Sequence, residues 1–183
     1  PPACSPQVTG DDVNAQNGEP CPANKLVVTP QRPLHKGEVF QVSIAYTGRP
    51  GVHLDGDGST EGWFRSDDPP GDGSFVTTEP VATEDWMPLN NHPTAKPTYD
   101  VFDTVPPGKT AIANGELVGA ALGPTFGAVQ PTSVNAPDMN FPAGSWTWAW
   151  HSPEPVANYL VENSIGSYDL TARIGANGVQ YYQ

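Results

Sequence analysis

The chain has 183 residues, among them 22 prolines and 19 glycines, so more than a fifth of its positions disfavour helix and long helices are excluded. A hydrophobic share of 37% still fills one modest core, because a chain of this length buries roughly two thirds of its unfolded surface. The formal net charge of −12 repels phosphate backbones and anionic lipid, which argues against nucleic acid and membranes as partners; no apolar run approaches the ~20 residues of a membrane-spanning helix.

Residues 1–24 form an irregular leader. The Pro-rich start lacks the basic-then-apolar order of a signal peptide, so the chain as written reads as soluble. Cys4 and Cys21 both fall in this leader, which has little else to hold it in place. A disulfide between them is the economical reading; it would stabilise by roughly 3 kcal/mol in the chain-entropy model and implies an oxidising, extracellular setting. Two unpaired thiols in a disordered leader are the alternative. A metal site would need more ligands than these two.

From residue 25 onward, apolar and polar residues alternate between turn formers, the pattern of half-buried strands. The first is Lys25 to Thr29. The clearest is Glu38 to Tyr46, which sets Phe40, Val42, Ile44 and Tyr46 on one apolar face. Between Gly48 and Gly73 the alternation lapses into a Gly-rich stretch expected to be a long loop. Within it Asp55, Asp57, Ser59 and Glu61 place oxygens at alternate positions, as a loop wrapped round calcium does. The register departs from an EF-hand, with Thr60 where glycine is needed and Ser66 where a bidentate Glu belongs, so a solvated acidic turn is the competing reading.

Further strands are expected over Ser74 to Thr78, Thr98 to Val105, Thr110 to Val118, Ser145 to Trp150, Asn158 to Ile165, Tyr168 to Arg173 and Gly178 to Tyr182. The proline-punctuated stretch from Gly119 to Pro142 reads as loop. With no internal repeat and no long linker, residues 25–183 make one all-β domain, an antiparallel β-sandwich. Trp146, Trp148 and Trp150 recur at period two and therefore share a strand face. Core packing, with central Trp148 buried between sheets, is the favoured role; an exposed carbohydrate platform is the alternative.

Catalytic chemistry is hard to assemble. His35, His53, His92 and His151 are scattered singly, with no His-Glu-x-x-His, and there is no Gly-x-Ser-x-Gly elbow or phosphate-cradling loop. The chain alone is expected to be non-catalytic.

The segment Thr78 to Tyr99 (TEPVATEDWMPLNNHPTAKPTY), then Ala113-Asn114-Gly115-Glu116-Leu117-Val118, then Trp146-Thr147-Trp148 followed by Ser152 to Leu160 (SPEPVANYL), occur in a definite order. Together with KLVVTP and the strand after Phe40, they resemble the N-terminal domain of zinc metallopeptidases of the aminopeptidase N family, in its secreted actinobacterial form. The match runs from about Lys25 to Arg173. The resemblance implies a saddle-shaped β-sandwich abutting a thermolysin-like catalytic domain and walling one side of its peptide-substrate cleft. It also implies that Glu79, on the loop entering the Pro-rich motif, binds the substrate's free α-amine, a task suited to a carboxylate. A plain solvated glutamate before a proline is the bland alternative.

Two departures stand out. Asn91 occupies a position where the family carries an acid, so any ion pair made by that acid is lost. The family's catalytic motifs are not among these residues, so the zinc would belong to the parent enzyme. The chain is then either a fragment of a secreted aminopeptidase, partnered by its catalytic domain, or a derivative that re-uses the sandwich as a stand-alone binding or inhibitory module for a protein or carbohydrate.

Overall fold

Ten strands and two single 3-10 turns make up the regular structure of the computed structural model, which describes residues 26, 28–54, 58–66, 73–122 and 142–182. In chain order the strands are β1 (Val52–Leu54), β2 (Thr60–Arg65), β3 (Ser74–Thr77), β4 (Tyr99–Val105), β5 (Thr110–Ala113), β6 (Glu116–Leu122), β7 (Trp146–Ser152), β8 (Asn163–Gly166), β9 (Ala172–Ile174) and β10 (Gln180–Tyr182). The 3-10 turns are Ala82–Asp85 and Asn158–Leu160. Every strand pairing is antiparallel, so the chain is all-β with a sandwich-like arrangement.

A five-stranded sheet runs β1-β2-β3-β8-β5, a three-stranded sheet runs β4-β7-β6, and β9 and β10 form a separate ribbon. The chain passes from the first sheet to the second at Asn114-Gly115, which divides the run expected over Thr110 to Val118. Gly115 has φ +93°, and a Cβ there would lie 2.0 Å from the carbonyl oxygen of His151. Only glycine combines that backbone with so close an approach, so one continuous apolar run becomes two strands in different layers.

Tryptophans hold the layers together. The Trp148 and Trp150 indole N–H groups donate to the carbonyls of Lys109 (3.2 Å), just before β5, and Ala111 (2.9 Å), two residues further on along β5 at the edge of the larger sheet. The period of the tryptophans on β7 thus matches the period of the carbonyls they cap, and edge groups that would otherwise need water are satisfied. Trp150, 1% exposed, is the largest fully buried side chain and sits with Val105, Ala111, Ala113, Val161 and Val76 among the core residues. Burial deepens along β7: Trp146 is 41% exposed, Trp148 half-buried and Trp150 buried. The centre of the strand is therefore not its deepest point, contrary to the expectation for Trp148, because the neighbouring sheet covers the far end.

Several sequence expectations need correction. Residues 38–46 form no strand; Val39 is 94% and Phe40 62% exposed, and no strand pairs with them among the described residues. The described part of the 25–29 segment is likewise exposed and outside any strand. Alternation sets a strand's faces, but backbone pairing also needs a partner edge. The expected loop between Gly48 and Gly73 instead contains β1 and β2. Gly62, at φ +117°, interrupts the apolar pattern of β2, and a Cβ there would meet the Gly51 carbonyl at 2.4 Å, so the residue that hid the strand is the one that lets β1 approach it. The run from Asn158 starts as a 3-10 turn and becomes a strand only at Asn163. Residues 168–171 stay outside the β9–β10 ribbon.

Candidate functional site

The turn after β3 carries Glu79 and is tied down on both sides. Before it, the Thr78 hydroxyl donates to the Tyr159 carbonyl at 2.7 Å. After it, the backbone N–H groups of Val81 and Ala82 donate to Glu61 Oε2 at 3.1 and 3.0 Å. Glu61 lies on β2 and is 1% exposed, so its carboxylate serves as an internal cap for the start of the Ala82–Asp85 turn. Thr83, fully buried, donates its hydroxyl to the Asn158 carbonyl at 2.8 Å. Glu79 itself is exposed and, among the described residues, makes no hydrogen bond or ion pair.

Asn91 closes the other side. Its amide Nδ2 donates to the Val81 carbonyl at 2.7 Å and to Glu84 Oε2 at 3.0 Å. Both partners are acceptors. An aspartate would set a carboxylate against a carbonyl and another carboxylate, so the amide at 91 is the side chain that this loop arrangement requires.

Asn158 organises the region from beneath. It is 3% exposed, accepts from the Tyr99 hydroxyl at 2.5 Å and donates to the Asn90 carbonyl at 2.5 Å. Asn114 clips the next stretch, donating to the Leu160 carbonyl at 3.0 Å and accepting from the Glu162 N–H at 2.6 Å. Side-chain amides thereby stand in for strand pairing across loops that carry no ladder of their own.

Two cavities flank Asn158. A cleft of about 180 Å³ is lined by Glu79, Pro80, Val81, His92, Pro93 and Tyr159, together with Asn91 and Asn158. A more open hollow of about 450 Å³ lies on the other side, bounded by Met87, Leu89, Lys96, Pro97 and Tyr99. The first combines apolar walls with one carboxylate held on a braced turn. Such a site suits a small apolar group bearing a cation, because the turn that carries the carboxylate is held in place before a ligand arrives.

The other sequence candidates are distributed differently. Of the calcium set, Ser59 is exposed and Glu61 is turned inward on β2; Asp55 and Asp57 lie outside the described residues. Cys4 and Cys21 also lie outside them. His53 Nδ1 pairs with Asp85 Oδ2 at 2.6 Å and His151 Nδ1 with Asp100 Oδ1 at 2.7 Å, in separate places. Among the described residues no three His, Cys, Asp or Glu side chains are grouped so as to hold a metal. The tryptophans do not present three exposed indoles, since Trp150 is buried and two indoles bond to backbone.

Sequence reasoning passed over Thr78, Asn91 as a donor, Asn114 and Asn158 as the groups that build the site. Their signal was faint: polar residues in proline-rich or apolar surroundings, where a buried amide needs partners.

No protein-family model matches the chain, and no curated protein matches it. Among solved structures, the chain is similar to a two-domain M1 zinc metallopeptidase variant bound to L-arginine, at 25% identity and a TM-score of 0.49. The similarity covers 69% of this chain and 23% of that one, so the chain spans less than a quarter of its length.

Proposed function

We propose that this chain is the β-sandwich part of a secreted zinc aminopeptidase, non-catalytic by itself, which packs against a catalytic domain and uses Glu79 to hold the free α-amine of a peptide substrate. One observation carries the reading: Glu79, exposed and without a partner among the described residues, lines a small, largely apolar cleft, while the turn that carries it is braced by Thr78, Glu61 and Asn91. A carboxylate so placed suits an ammonium group next to a short apolar side chain. In this reading the family rests on the resemblance of the ordered motifs from Thr78 to Leu160.

The described donor set does not fit a zinc ion, so in this reading the metal and the hydrolytic chemistry belong to the catalytic domain. Calcium at the 55–61 loop would draw on Asp55, Asp57 and Ser59, since Glu61 Oε2 already serves two backbone donors. Val39, Phe40, Ile174 and Val179 are exposed apolar side chains that further protein could cover.

The test is Glu79→Ala in the complete enzyme. We expect kcat/KM for free-amine substrates to fall by roughly one to three orders of magnitude, with N-acetylated substrates little affected. Equal losses on both substrates would make Glu79 structural and end the proposal.

A further inference from the structure

Asp103 points inward from β4 into the space between the sheets, opposite Trp148 of β7. Its Oδ2 accepts from Nδ2 of Asn163, on β8 of the other sheet, at 2.9 Å. Asn163 is 2% exposed, and its remaining polar atom, Oδ1, is buried without a hydrogen-bond partner. A buried acceptor on an amide that already bonds a carboxyl group could be met by a carboxyl proton, and leaving it unmet carries a desolvation cost.

Among the described residues, Asp103 has no charged partner. The inner face of β7 presents tryptophans and Ser152, β5 and β8 contain no titratable side chain, and the titratable side chain sharing Asp103's face of β4 is Tyr99, bonded to Asn158. Lys109, just before β5, donates its ammonium to the Ser167 hydroxyl, while Glu162, just before β8, is exposed and bonded by Ser164. Asp100, His151 and Glu116 occupy the opposite face of the smaller sheet.

We propose that Asp103 and Asn163 form a proton-operated latch between the two sheets, in which protonated Asp103 donates to Asn163 Oδ1 while Asn163 Nδ2 donates to Asp103 Oδ2. Loss of the proton removes one of the two hydrogen bonds and leaves a carboxylate in an apolar layer. Burial raises the Asp103 carboxyl from its ordinary 3.8 to about 6, against the smaller lowering effect of the Asn163 hydrogen bond. A raised folded-state value means that the folded chain holds the proton more tightly than the unfolded one. Stability from this group is therefore greatest below about pH 4 and is lost as pH rises through about 6. Because β8 follows the Asn158–Leu160 turn, closing the latch in acid also steadies the wall shared by the two cavities.

Carboxyl ¹³C NMR of the whole chain tests the proposal directly. Asp103 should titrate near pH 6, about two units above exposed aspartates, and a midpoint at or below about 4 overturns it. In parallel, the Tm of the parent, relative to Asp103→Asn, should fall by several degrees between about pH 5 and 7.5, and amide protection factors over residues 161–166 should fall about tenfold. If Asp103→Asn keeps the parent's pH profile, the latch is rejected; if that variant does not fold, the carboxyl titration of the parent decides.

Discussion

Trp150 shows how one side chain can serve as both packing and polar closure. It fills the space between the sheets, stacks edge-on against Tyr182 at 5.3 Å, and caps the Ala111 carbonyl. Trp150→Ala should therefore cost ~3–5 kcal/mol through the cavity it leaves. Trp150→Phe, which keeps most of the volume but strands the carbonyl, should cost about 1–3 kcal/mol. Trp146→Ala, at the exposed end of the same strand, should cost far less. Urea unfolding of the three variants measures the gradient; equal losses at Trp146 and Trp150 would contradict the burial order along β7. Asn91 illustrates the same economy. A position that looked like the loss of an acid is an amide with two acceptors to satisfy, which becomes visible only when Val81 and Glu84 are brought beside it.

At the scale of elements, the corner between β5 and β6 sets the architecture, because it sends neighbouring stretches of chain into different sheets. Gly115→Ala should destabilise by well over 1 kcal/mol, since it adds a Cβ where φ is positive and where the His151 carbonyl already sits. Gly119→Ala, a few residues along β6, meets nothing within 4 Å and serves as the control, neutral or slightly stabilising. Thermal unfolding of the pair gives the comparison. If the two behave alike, the corner does not depend on glycine. The loops over the candidate site follow a different logic: the segment from Glu79 to Thr98 contains no strand, and its shape is held by Thr78, Thr83, Asn91 and Asn158 hydrogen-bonding to backbone carbonyls.

For the molecule as a whole, the disulfide expected between Cys4 and Cys21, which lie outside the described residues, and the oxidising setting it would imply are open to a chemical test. The two thiols of the native chain should resist alkylation until a reductant is added, and alkylation without reduction would remove both the staple and the argument for an oxidising compartment. The all-β class was legible from proline and glycine content and from alternation, and β3, β4, β7 and β10 fall where the pattern placed them within a few residues. Alternation reports which face of a strand is apolar, a property of the local chain. It does not report whether a partner edge is available, and so the 38–46 run, with the clearest pattern, has no strand partner among the described residues, while β2, interrupted by Gly62, sits inside the larger sheet.

The candidate site divides along the same line. A carboxylate entering a proline-rich turn is written in the sequence, so Glu79 could be singled out without coordinates. Its bracing could not, because Glu61, Tyr159 and Asn91 lie 18, 80 and 12 positions away and are brought to the turn only when β2, the Asn158–Leu160 turn and the 87–97 loop close around it. Composition and periodicity, which are sums over neighbouring residues, determined the class of fold and the absence of the familiar catalytic motifs. Partners distant along the chain decided which tryptophan is buried, why position 91 is an amide, and where an inward-facing aspartate meets an unmet acceptor, because hydrogen bonding and burial depend on distance in space.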